Sequence, residues 1–147
     1  MKVQMLPSEE VLRGYDAVSA LYPHIPSLSH WRAWEYASYR HHRIEGRILD
    51  VGCGDGRYFK LIWPTANNVV GVDMDAEAAE HGRASGVYRL VHTAPAHRIP
   101  EAHDSFDHAF ANCSLEHMDH LDGVLSEIHR RSEERRVGKE CRSRWSP

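Results

Sequence analysis

Long apolar runs are what this sequence most lacks. Stretches such as Val69-Val70-Gly71-Val72 fall far below the roughly 18 residues a bilayer helix needs, so no segment reads as a membrane span. The first seven residues also lack the apolar stretch of a signal peptide, which makes a cytoplasmic protein the expectation. Cysteine is scarce. Cys53, Cys113 and Cys141 have neither zinc-ligand pairing nor the density of a disulfide framework, and reduced thiols follow. Charge of one sign is lacking too: a net charge of −3 leaves no electrostatic footprint for nucleic acid. Histidine, by contrast, is abundant at twelve residues, and His117 and His120 stand at the i, i+3 spacing of one helix face. Two ligands do not make a zinc site, so no metal is expected.

With 147 residues, 41% of them apolar and 27% charged, the chain has a globular composition and the length for one buried core rather than two. Nothing in it argues for one oligomeric state over another. The last seventeen residues stand apart. From Arg131 there is no apolar periodicity, and this segment holds 6 of the 18 Lys and Arg but 3 of the 21 Asp and Glu. A charged tail for an acidic partner is one reading. The string Arg-Ser-Glu-Glu-Arg-Arg-Val-Gly-Lys-Glu-Cys-Arg-Ser-Arg-Trp-Ser-Pro also resembles, residue for residue, the translation of a widely used sequencing-adapter oligonucleotide. On that preferred reading residues 131–147 are a non-native tail, set aside from fold reasoning, and the native sequence is interrupted after Arg130. A chain cut there is expected to be poorly soluble, with little or no turnover, because 106–111 is left as an unpaired apolar edge prone to aggregation.

Before position 46 the pattern is helical. Ser8-Glu9-Glu10 offers a cap and an acidic first turn for a helix to about Leu21, Pro23 and Pro26 break the chain, and Ser29 precedes a second helix. The second helix carries Trp31, Trp34, Tyr36 and Tyr39, which read as packing against the core or, alternatively, as a lid. Residues 46–130 then alternate four β-type runs, 47–51, 68–72, 87–91 and 106–111, with helical segments at 57–63 and 75–85. Nearly continuous apolar runs suit strands covered on both faces, and the alternation means βαβ units in a doubly wound sheet. Asp75 is placed as an N-cap, with Pro64 and Gly86 as stops. Leu121, Val124, Leu125 and Ile128 mark a last helix, with Asp119 positioned to cap it.

The chemistry concentrates where the first run meets a glycine-rich turn, Asp50-Val51-Gly52-Cys53-Gly54-Asp55-Gly56. Glycine is needed where backbone adopts positive φ or approaches a ligand, and a helix start presents free N–H groups, so this turn is read as holding an anionic or polar group. Dinucleotide enzymes favour G-x-G-x-x-G, whose last glycine is Arg57 here. At the end of the second run Asp73 is placed to bond the two hydroxyls of a ribose across the switch point of the sheet, which means an adenosine-containing ligand.

These segments resemble the class I methyltransferases, in particular the group called methyltransferase type 11. The resemblance covers 49–130 and consists of Leu-Asp-Val-Gly-Cys-Gly-Asp-Gly, then Val-Val-Gly-Val-Asp-Met-Asp, then Arg-Ile-Pro, then Ser-Phe-Asp-His-Ala-Phe-Ala-Asn-Cys-Ser-Leu-Glu-His. It implies an α/β, Rossmann-like, doubly wound and mainly parallel sheet, here with about four of the family's seven strands and preceded by N-terminal helices. It also implies S-adenosyl-L-methionine as cofactor: Asp50, Gly52 and Gly54 around the methionine moiety, Asp73 on the ribose, Met74 beside the adenine, Ala96 and His97 along the adenine edge, and Asn112 near the sulfonium. Where the family often has an acidic residue four positions before Ile-Pro, this sequence has Pro95, so adenine contact would rest on backbone around Ala96 and His97.

Methyl transfer from a sulfonium needs positioning and exclusion of water more than a covalent nucleophile. His117, after the fourth run, is the candidate base, with packing of the next helix as its other reading. Tyr15 and Tyr22 are weaker candidates for cofactor contact. The expected acceptor is a small molecule. The alternatives are a NAD-type dinucleotide oxidoreductase, disfavoured by Arg57, and a non-catalytic adenosyl-binding module.

Overall fold

The computed structural model describes residues 8–132, so most of the tail, from 133 on, lies outside the described residues. The chain forms two compact units: the described residues up to Arg43 together with Arg57–Thr65, and Ile44–Gly56 together with the described residues from Ala66 on.

The first unit holds α1 (Ser8–Ser19), α2 (Pro26–Tyr39) and α3 (Arg57–Ile62). Val11 of α1 packs with Ala33 and Ala37 of α2, with Tyr15 against them. The helices meet closely at Gly14, where a Cβ would come within 2.8 Å of the Ala33 carbonyl oxygen. Pro26 does not break the chain as the sequence reading has it; it opens α2, because a first-turn proline lacks only an N–H that would have no helical partner. Ser29 consequently lies inside α2, its hydroxyl within reach of the Tyr22 and Ile25 carbonyls. Trp31 and Trp34 stay exposed, at 56% and 40%, contrary to the expectation that they pack in the core. The Tyr58 hydroxyl donates to the Arg32 carbonyl and the Trp63 indole N–H to that of His42, tying α3 to α2 and the segment after it.

The second unit is built on β1 (Ile48–Val51), β2 (Val69–Asp73), β3 (Leu90–Thr93) and β4 (His108–Phe110), with α4 (Ala76–Ala84) and α5 (Leu121–Arg131). All pairings are parallel and the order is β3-β2-β1-β4. Alternation along the strands sends Leu49, Val51, Val70 and Val72 to one face, where they form a core with Ile99, Phe106 and the α5 residues Val124 and Ile128. Gly71, Val91, Ala79 and Gly82 lie on the other side, with α4. Burial on both faces is why the runs at β1 and β2 read as continuously apolar, whereas β3 and β4 are only partly covered. The chain steps outward from β1 to β3 and then returns beyond β1 to β4, which places a topological switch point at the C-terminal ends of β1 and β4.

Several assignments differ from the sequence reading, among them the fourth strand, which spans His108–Phe110 rather than 106–111. The third strand begins at Leu90 rather than 87, because Val87 and Tyr88 are buried while the chain is still turning out of α4. Asp119 does not cap α5: His120 occupies the cap position in the left-handed region, φ 60°, without a side-chain cap bond. His117 closes a separate 3₁₀ turn, Leu115–His117, so it shares no helix face with His120, and no group of three or more metal-ligating side chains is found among the described residues. Asp75 does cap α4, accepting from Glu77 N–H at 2.8 Å and Ala78 N–H at 3.0 Å, and Gly86 follows at φ 69°. At the far end, Glu127 holds Arg130 and Arg131 and accepts from Ile99 N–H, so α5 is pinned to the segment before β4.

Candidate cofactor site

Sequence places Asp50 one residue before the end of β1 and Asp73 at the end of β2, and parallel pairing brings both to the same edge of the sheet. Between them the loop of Gly52 to Gly56 turns with positive φ at all three glycines. Gly52 and Cys53 N–H extend the ladder to the Val72 carbonyl, Gly56 N–H closes on Cys53 O, and Gly54 N–H donates to Asp73 Oδ2 at 3.0 Å. Asp73 Oδ1 accepts from Asp75 N–H at 3.0 Å. Each Asp73 oxygen keeps a further lone-pair direction for a hydroxyl donor.

Asp50 is 4% exposed. Burial pushes its carboxyl up to about 7; a hydrogen bond from the Tyr88 hydroxyl, 2.6 Å from Oδ2, opposes that, and the Asp73 charge adds to it. Burial also drives the Cys53 thiol upward, with the Asp50 and Asp73 charges adding to the effect, so it stays a neutral filler.

Of the two kinds of group the sequence reading allows this turn, anionic or polar, the arrangement favours the polar one. Four of the loop's N–H groups are already engaged, and two of the side chains at the loop, Asp50 and Asp73, are carboxylates. Two acidic groups suit a ligand carrying hydroxyls and positive charge, and oppose a pyrophosphate. Room for such a ligand exists at Gly54, where an added Cβ would meet nothing within 4 Å. Gly52 is different: a Cβ there would collide with Ser114. The donor set and the open approach therefore fit the amino group, sulfonium and ribose of S-adenosylmethionine.

The remaining sequence-derived residues divide. Met74, next to Asp73, is 74% exposed. Ala96 is buried, its side chain in the core cluster, so only its backbone is left to face a ligand. His97 is exposed, its ring edge-on to that of His120 with centroids 5.8 Å apart. Asn112 is half-buried just after β4, and His117 is exposed, its N–H bonded to the Ser114 carbonyl. Tyr15 and Tyr22 belong to the other unit. Two residues escaped the sequence reading. Ser114 donates from Oγ to the Val51 carbonyl at 2.8 Å, fastening the segment after β4 to the end of β1. Tyr88 reaches Asp50. Its sequence signal was Gly71, a glycine inside a strand that marks close approach: a Cβ there would collide with Cys53 Sγ and crowd the Tyr88 ring.

Comparison with known proteins identifies the family and the fold. Residues 49–134 match the model of a methyltransferase domain family, over half of the chain. The chain is 26% identical over 129 residues to a malonyl-[acyl-carrier protein] O-methyltransferase of Erwinia billingiae, covering 87% of this chain and 51% of that protein. It is 33% identical over 87 residues to a ubiquinone biosynthesis O-methyltransferase of Agrobacterium fabrum, covering 56% and 35%. The crystal structure of an S-adenosylmethionine-dependent methyltransferase from Mesorhizobium loti superposes with a TM-score of 0.56 at 23% identity, over 67% of this chain and 48% of that one. The chain thus spans about half, or less, of the length of these relatives. With the family model matched across the glycine loop, Asp73 and the four-stranded sheet, the chain belongs to the class I S-adenosylmethionine-dependent methyltransferases.

Proposed function

We propose that this chain supplies the cofactor-binding part of an enzyme that methylates a small-molecule acceptor, at an oxygen atom. The observation that carries the reading is the pair Asp50 and Asp73, at the ends of adjacent strands with Gly54 N–H bonded to Asp73. The choice of oxygen rests on both named relatives being O-methyltransferases.

In this reading Asp73 holds the ribose hydroxyls, Asp50 the amino group, and Gly52 and Gly54 line the methionine chain. Met74 covers the adenine, whose edge meets the backbone at Ala96 and His97. Bound S-adenosylmethionine supplies an activated methyl group on a sulfonium with a good leaving group. The protein's share is alignment of two reactants and exclusion of water, worth up to about 7–11 kcal/mol of barrier when the geometry is near attack. Asn112 and His117 follow β4 on the segment fastened by Ser114, beside the switch point, where the acceptor is expected. His117 is the residue to take the acceptor's proton. No helix among the described residues is long and apolar enough to cross a membrane, and a cytoplasmic site of action is part of the proposal.

Calorimetric titration separates this from an oxidoreductase. S-adenosylhomocysteine should bind and NAD should not; NAD binding without S-adenosylhomocysteine binding overturns the reading.

A further inference from the structure

Tyr88 lies between α4 and β3, in none of the motifs that point to the cofactor. Its ring, 9% exposed, occupies space that glycines leave free: a Cβ at Gly56 would collide with it, and one at Gly71 or Gly82 would lie 3.3 or 3.7 Å from it. The hydroxyl sits 2.6 Å from Asp50 Oδ2 and 3.1 Å from the Cys53 carbonyl. One proton faces two acceptors. The shorter distance is that of a charge-assisted O–H···O⁻ bond, so the proton goes to Asp50 when Asp50 is ionised. If Asp50 is protonated, its own hydroxyl donates to Tyr88, whose proton turns to Cys53 on the glycine loop. Burial keeps the phenol neutral, so it remains a donor.

We propose that Tyr88 is a positioning residue for the cofactor: its hydroxyl holds the Asp50 carboxylate ionised and aimed, ties it to the loop, and couples loss of one proton from Asp50 to capture of the cofactor's amino group. This rests on the methyltransferase reading above. The other groups around Asp50 do not replace Tyr88. Asp73 on β2 repels the Asp50 charge, the Cys53 thiol is neutral, and the β4 residue in register is Phe110. Arg83 on α4, which acts on Cys53, is bonded to Glu80, Val91 O and Thr93.

Tyr88→Phe keeps the ring and removes the hydroxyl. Titration of the full chain with S-adenosylhomocysteine between pH 6 and 9 should show wild-type affinity rising with pH and levelling off above about 7, where Asp50 ionises. The variant should bind about fivefold more weakly at pH 7, with its profile displaced upward by about one pH unit. A readout without ligand is the carboxyl carbon resonance of Asp50, assigned with Asp50→Asn, which should titrate at higher pH in Tyr88→Phe. Wild-type behaviour of the variant in both measurements overturns the proposal. So does a uniform loss of affinity with an unmoved Asp50 titration, the mark of a packing role. If the wild type binds no S-adenosylhomocysteine at any pH, the methyltransferase reading fails and this proposal with it.

Discussion

The two strand ends that flank the switch point are built on opposite principles. At the β1 and β2 ends, Asp73 accepts from Gly54 and Asp75 N–H, Asp50 accepts from the Tyr88 hydroxyl, and other loop amides bond Val72 O and Cys53 O. Beyond β4, by contrast, the chain passes through Cys113 at φ 48° and a single 3₁₀ turn to His120 at φ 60°, with Glu116, His117, Asp119 and His120 all exposed. A hydrogen bond from Ser114 to Val51 fastens this second region to the first. A fixed site suits a ligand that never varies, whereas an exposed segment on a rigid scaffold is where specificity is placed.

The comparison breaks most readily at Asp50. Its carboxyl titrates near 7 in the fold against an ordinary value of 3.8, so folding takes up a proton between those values. Stability therefore declines as pH rises from about 4 to 7, by on the order of 4 kcal/mol, and stays low above. Asp50→Asn should flatten that slope in urea melts at several pH values, while weakening S-adenosylhomocysteine binding. An unchanged slope would mean that Asp50 is ionised throughout.

The glycines sharpen the contrast next. Gly52→Ala meets both a φ of 72° and Ser114, and should cost about 2 kcal/mol in stability. Gly54→Ala meets only the φ of 51°, and should cost about 1 kcal/mol. Gly54→Ala should nonetheless impair ligand binding, because its methyl group points into the open approach. Equal stability losses for the two would remove the distinction between a packing glycine and a ligand-facing one. The smallest effect is expected in the second region. His117→Ala should leave stability within about 0.5 kcal/mol and S-adenosylhomocysteine affinity unchanged, lowering only turnover in an enzyme assay with a cognate acceptor. A large drop in thermal stability would instead assign His117 to packing.

Legibility followed the same division. The turn from Asp50 to Gly56 and the strand-tip position of Asp73 could be read from the chain because their placement depends on spacing within one strand–turn unit and on backbone conformations that favour glycine. The caps at Asp75 and Gly86 were legible for the same local reason. Asp119 was misread because capping is decided by one backbone turn, and His120 took that turn one residue later. Val87 and Tyr88 were read as strand because an apolar pair records burial, whatever the backbone conformation that buries it.

What the sequence determined by itself is the parallel α/β architecture, which follows from local periodicity and turn chemistry, and the cofactor class, which follows from the resemblance of its motifs to a known family. What only the tertiary structure decided is which residues face one another. Tyr88 meets Asp50 across 38 positions and Ser114 meets Val51 across 63, because parallel strands bring distant segments to one sheet edge. The burial that then sets the protonation of Asp50 belongs to the packed environment and is written in no single segment of the chain.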